Sequence, residues 1–145
     1  MINIFITSVI DSPIDKVWEV VRGFNDMPDW HPVVDRSEIE DGLHPDTVGC
    51  IRSLYLADGQ NVREQLIALS DLDFSFSYSM IDTGLGMYDY IASFELRPIT
   101  DGNRTYIQWT AEFTAAPGEE KEKENMVAND VFQSGFNALK ELFSK

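Results

Sequence analysis

Residues 119–145 read as one long helix whose apolar positions are spread too widely to be left in water. Val127, Val131, Gly135, Ala138 and Leu142 recur at spacings of three or four beside Ala128, Phe132, Phe136, Leu139 and Phe143, which makes a broad buried stripe. Pro117-Gly118 marks the entry to this helix. Glu119, Glu120 and Glu122 lie at the positive end of its dipole, and Lys140 and Lys145 near its negative end. A helix with so wide an apolar face has to be covered by whatever precedes it, and what precedes it is mostly strand.

At the N-terminus Ile2, Ile4 and Ile6 alternate with Asn3, Phe5 and Thr7, the period-two pattern of a strand with one face on a core. Asp11-Ser12-Pro13 stops it. Ser12 as N-cap, Pro13 at the first helical position and Asp15 in the first turn predict a helix with Val17, Trp18, Val20 and Val21 on its apolar face, ended by Gly23. The segment 24–32 is rich in turn formers and aromatics, and reads as a second short helix or turn that packs Trp30 inward. Six strand-like runs follow, at about 33–40, 48–56, 60–69, 74–81, 88–97 and 104–115, with turn signals between them. Connections this short imply an antiparallel meander. Seven strands can bury one long helix only by curling around it, and the concave side then leaves space for a small molecule.

Charge narrows the partners. The 145 residues, read as one domain over 1–145, carry 25 acidic and 11 basic side chains, a formal net charge of −14. Such a charge repels phosphate backbones and anionic headgroups, so nucleic-acid and membrane-surface partners are not expected. The single cysteine, Cys50, allows no internal disulfide and no cysteine-based zinc site, and His31 and His44 form no ligand spacing, so neither metal nor cofactor is expected. Residues 1–10 lack the basic start of a signal peptide, and no run approaches the roughly 20 apolar residues of a membrane span. These features predict a soluble, cytoplasmic protein, a monomer or homodimer.

Two constellations stand out. Arg52 and Glu64 flank the Asp58-Gly59 turn, and a three-residue hairpin loop would place them directly opposite one another, whereas a two-residue loop would not. Leu54, Leu56, Val62 and Leu66 share that face. A charged pair on an apolar face is expected to be buried together, either as a structural salt bridge or as a functional pair lining a cavity. In the second case Arg52 would hold a substrate oxygen and Glu64 would move a proton. The other constellation is aromatic. Tyr78, Met80, Tyr90, Phe94, Trp109 and Phe113 fall at even spacings within their strands, as core or as cavity wall, with Met80 and Phe94 read as plain wall. Cys50 is read as a small core residue and His44 as a surface one. Asp58-Gly59, the loop 83–87 and Met126 are expected to rim an entrance, where Gly59, Gly84 and Gly86 cluster. No phosphate-binding glycine loop, nucleophile elbow or dinucleotide fingerprint occurs.

Ser12-Pro13 with Val17-Trp18, Phe24 with Trp30-His31-Pro32, Val48-Gly49 with Arg52, Glu64 with Leu66, Tyr78, Tyr90, Trp109 with Phe113, and Leu139 form an ordered set. In that set the chain resembles the polyketide cyclase/dehydrase branch of the START-like (SRPBCC, Bet v 1-like) superfamily, which also holds abscisic-acid receptors and lachrymatory-factor synthase. The resemblance implies an α+β helix-grip fold: a seven-stranded curled antiparallel sheet around a long C-terminal helix, with two short helices between strands 1 and 2. It implies binding of a small, largely hydrophobic or lipid-like molecule between sheet and helix. His31, Leu54, Leu56, Val62, Leu66, Tyr78, Tyr90, Trp109, Phe113, Val131 and Gly135 would then line the site. The alternative is a cofactor-independent cyclase, dehydratase or isomerase with Glu64 as acid/base and Arg52 as oxyanion partner. The chain departs from the receptors at both gate loops, where Asp58-Gly59-Gln60 and residues 83–86 stand.

Overall fold

In the computed structural model, which describes residues 1–81 and 85–145, the N-terminal alternation forms β1 (Ile2–Ile10) with Ile4 and Ile10 buried and Phe5 and Val9 outward. Helix α1 (Ile14–Val21) begins one residue later than expected, because Pro13 is itself the extended N-cap and no side chain caps the helix. Ser12 serves the junction through its backbone: its carbonyl accepts the Thr105 hydroxyl at 2.7 Å. Val17, Trp18 and Val21 face inward. A single 3-10 turn, Met27–Asp29, then carries Trp30 and His31 into the interior.

The later strands are β2 (Val34–Ile39), β3 (Ile51–Leu56), β4 (Asn61–Ser70), β5 (Ser75–Met80), β6 (Met87–Ile99) and β7 (Arg104–Ala115). Among the described residues these seven strands form one sheet in the order β1-β7-β6-β5-β4-β3-β2, with every neighbouring pair antiparallel. Register shifts interrupt the pairing between Val34 and Arg36, Leu66 and Ala68, and Tyr88 and Ile91. Bulges of this kind bend a strand and raise its local twist, which is what a sheet needs to curl. Cys50, just before β3, is fully buried with its thiol 3.6 Å from the Pro45 carbonyl, and burial pushes that thiol up.

The C-terminal helix runs continuously through α2 (Glu120–Asn125), a π-helical segment (Met126–Gln133) and α3 (Ser134–Leu142). Its buried side chains, Val127, Phe132, Phe136 and Leu139, enter the concave face of the sheet. Phe132 stacks on Trp109 with ring centroids 4.3 Å apart and 11° between planes. Trp109 meets Phe94 edge-on at 4.9 Å, and Phe94 stacks on Phe76 at 5.3 Å. Trp30 closes the cluster 6.1 Å from Trp109, with its indole N–H left without a partner among the described residues, at a cost of about 1–3 kcal/mol. The architecture is the helix-grip α+β fold.

Candidate functional site

The site grows from the β3–β4 hairpin. Its loop is the three-residue one, Ala57-Asp58-Gly59: the Leu56 N–H reaches the Gln60 carbonyl at 2.8 Å, and Gly59 sits at φ +92°, a left-handed angle that favours glycine. The Asp58 carboxylate accepts the Gln60 N–H at 2.9 Å and holds the turn. That loop places Arg52 opposite Glu64 and Leu54 opposite Val62.

Arg52 and Glu64 are both almost fully buried. The guanidinium donates from Nε at 2.9 Å and Nη2 at 2.7 Å to the same oxygen, Glu64 Oε1, and from Nη1 at 2.9 Å to the Phe24 carbonyl. Its Cζ lies 4.1 Å from the centroid of the Phe24 ring and 4.9 Å from that of Tyr78, a setting that stabilises a desolvated cation. Burial is the larger influence on Glu64 and pushes its carboxyl up, while the charge and hydrogen bonds of Arg52 pull it back.

Above this pair lies a cavity of about 190 Å³ between the sheet and the C-terminal helix. Glu64, Tyr78, Tyr90 and His31 supply its buried polar groups, and Leu54, Leu56 and Val62 rise from the hairpin as one wall. Met80 and Met87 come from β5 and β6, Val127 and Val131 from the π-helical segment, and Met27, Val33 and Val34 from the approach to β2. Asp58, Gln60 and Asp130 line it too and are exposed, so the space meets solvent there. Of the expected rim, Asp58, Leu85, Met87 and Met126 border the cavity, and Thr83 and Gly84 lie outside the described residues.

The remaining expected residues stand behind the wall. Trp109 donates its indole N–H to the Tyr78 hydroxyl at 3.0 Å, and Phe113 stacks on Tyr90 at 5.3 Å. Burial pushes both tyrosine hydroxyls well above their usual range, with Glu64 adding to the effect, so both remain protonated. Leu66 is buried in the sheet core, and Arg52 backs Glu64 without reaching the cavity. Gly135 acts by being small: a Cβ there would lie 2.9 Å from His31 Cδ2 and 3.1 Å from Trp109.

His31 borders the cavity with both ring nitrogens engaged. Nε2 lies 2.7 Å from the Val131 carbonyl, and Nδ1 accepts the Val33 N–H at 3.2 Å. These partners fix the tautomer, because a carbonyl requires a donor at Nε2 and an N–H requires an acceptor at Nδ1. Burial lowers the affinity of the ring for a second proton, the Val131 carbonyl opposes that, and Arg52 adds to it.

Sequence reasoning missed Met27, Val33, Val34, Gln60, Val127 and Asp130 as lining residues, and placed Met87 only on the rim. The cause at β6 is visible. The irregularity between Tyr88 and Ile91, with Asp89 at φ +54°, turns both Met87 and Tyr90 inward, which strict alternation forbids. The dense methionine content of the segments around the cavity was the available signal, since methionine fills irregular space.

The chain matches, over residues 1–144, the family described as polyketide cyclase/dehydrase and lipid transport, and it belongs to that family. It is similar in structure to the protein XoxI of Bacillus cereus, with a TM-score of 0.90 and 23% identity over 100% of this chain and 97% of that one. A Bacillus thuringiensis protein gives 0.88 and 24% over 99% and 100%, and a Thermobifida fusca protein 0.88 and 27% over 99% and 94%. No curated protein matches the chain. Among the described residues no helix is long and apolar enough to cross a membrane, and no three His, Cys, Asp or Glu side chains gather as a metal site.

Proposed function

We propose that this protein binds a small, largely hydrophobic molecule in the cavity between the sheet and the C-terminal helix. The observation that carries the reading is a space of about 190 Å³ walled by leucine, valine and methionine in an otherwise close-packed interior. Protein interiors seldom leave voids larger than a water, and an apolar cavity of about 150 Å³ takes up a benzene-sized guest. Toluene, followed by chemical-shift changes at the cavity methyl groups, tests it. Uptake is expected in the parent chain and loss of uptake in Leu54→Trp and in Val131→Trp, which fill the space. Equal uptake by parent and folded filled variants would refute an internal site.

A second reading has its own support in Glu64, a carboxylate that lines the cavity while its bonds to Arg52 fall on one oxygen. In this reading the protein is a cofactor-independent cyclase, dehydratase or isomerase, and Glu64 moves the proton. Arg52, whose Nε, Nη1 and Nη2 are all engaged, holds and orients Glu64 instead of meeting a substrate oxygen. Comparing the metabolites of a deletion strain complemented with the parent or with Glu64→Gln checks it. Restoration of the parent pattern by folded Glu64→Gln would remove the acid/base role.

A further inference from the structure

The cavity has acceptors and hydroxyls within it and, among the described residues, no free cation. Arg52 is permanently charged and buried, so a neutral partner would leave an uncompensated charge in the core, and Glu64 therefore stands as a carboxylate at neutral pH, an acceptor only. Both of its bonds from Arg52 fall on Oε1, and among the described residues none falls on Oε2. The tyrosines give the opposite lesson. The Tyr78 oxygen already accepts the Trp109 N–H, and the Tyr90 hydroxyl shares the same cavity wall. Both are protonated phenols on that wall, so the pair has an O–H to give.

Neither Lys nor Arg lines the cavity among the described residues, His31 has both nitrogens occupied, and the exposed lining residues include Asp58 and Asp130. A carboxylate or phosphate entering here would pass two aspartates and then face Glu64 with nothing to neutralise it, at a large desolvation cost. A hydroxyl, by contrast, both donates and accepts, and so can serve Oε2 and the spare tyrosine proton together.

We propose that the ligand of this cavity is an uncharged molecule of single-ring size that presents a hydroxyl group to Glu64 and Tyr90, and that the cavity rejects carboxylates of the same size. The proposal rests on the cavity-binding reading above and sharpens its chemical class. Three probes of nearly equal shape test it on the full chain at neutral pH by calorimetry and chemical-shift titration: toluene, benzyl alcohol and benzoate. Benzyl alcohol is expected to bind about tenfold tighter than toluene, as hydrogen bonds to charged groups allow, with benzoate at least about a hundredfold weaker than the alcohol. In the apolar double variant Arg52→Met/Glu64→Leu the alcohol's advantage over toluene should fall to about threefold, the share left to Tyr90, while toluene still binds. Tyr90→Phe, which keeps the ring, should cut that advantage to about threefold and serves if the double variant does not fold. Toluene binding as tightly as benzyl alcohol, or benzoate matching it, would overturn the hydroxyl reading and leave the cavity reading standing. Failure of all three probes to bind would remove the cavity reading and this one with it.

Discussion

The space beneath the C-terminal helix has two halves, and they are filled by opposite means. Toward α3, Phe132, Phe136, Trp109, Phe94 and Trp30 close on one another ring against ring, with Gly135 letting His31 and Trp109 approach the helix backbone. Toward α2, methionine, leucine and valine face one another across the cavity. The same sheet and the same helix border both. Side-chain size therefore decides where the grip is solid and where it holds a ligand, and the backbone only brings the surfaces near. The closed half anchors the helix, and the open half can afford a void because the closed half exists.

The largest difference between the halves should appear on truncation. Trp109→Ala is expected to cost about 3–5 kcal/mol by denaturant unfolding, since it leaves a ring-sized hole among fully buried neighbours. Leu56→Ala, at a half-buried position already beside the cavity, should cost about half as much or less. Equal losses would abolish the distinction.

Enlargement should give effects of opposite sign. Gly135→Ala improves helix propensity yet forces a methyl into His31 and Trp109, with an expected net loss of about 1–3 kcal/mol. Val62→Phe points into the cavity and should be neutral or stabilising by up to about 2 kcal/mol. A stabilised Gly135→Ala would mean that His31 and Trp109 yield freely, and the closed half would not be tight.

The smallest effect is one of pH, and it sits where the halves meet. Burial holds His31 below its ordinary value, so the unfolded chain takes up a proton on this residue at a higher pH than the folded one. The stability this contributes is complete above the ordinary histidine value of about 6.5 and is lost as pH falls from there toward the lowered folded value, by at most about 1.4 kcal/mol per pH unit. His31→Gln should flatten that part of the profile relative to the parent. An unchanged slope would assign it to other groups.

Much of this was legible in the sequence because alternation and helical spacing are local. The β7 bounds, residues 104–115, and the facing of Arg52 and Glu64 follow from period and turn chemistry, once Gly59 takes the left-handed angle. The division into halves was not legible. Tyr78, Tyr90, Trp109 and Phe113 all turn to the concave side, and which of them borders a void depends on their height along the sheet and on the widened π-helical turns of residues 126–133. Neither can be read from spacing. A bulge hid Val34 for the same reason, and another turned Met87 inward together with Tyr90, since one unpaired residue reverses the parity of all that follows.

Cys50 gives the molecule a clock. It is the chain's one thiol, and it has no exposed surface at the base of the strand that carries Arg52. A thiol-specific reagent meets it only when that strand lifts, so under fast reclosing the rate of labelling counts openings. A guest that binds only the closed form slows the count by one plus the ratio of its concentration to its dissociation constant. Affinity for any compound can thus be read from the fading of a single chemical reaction, without a dye, a label or knowledge of the natural ligand.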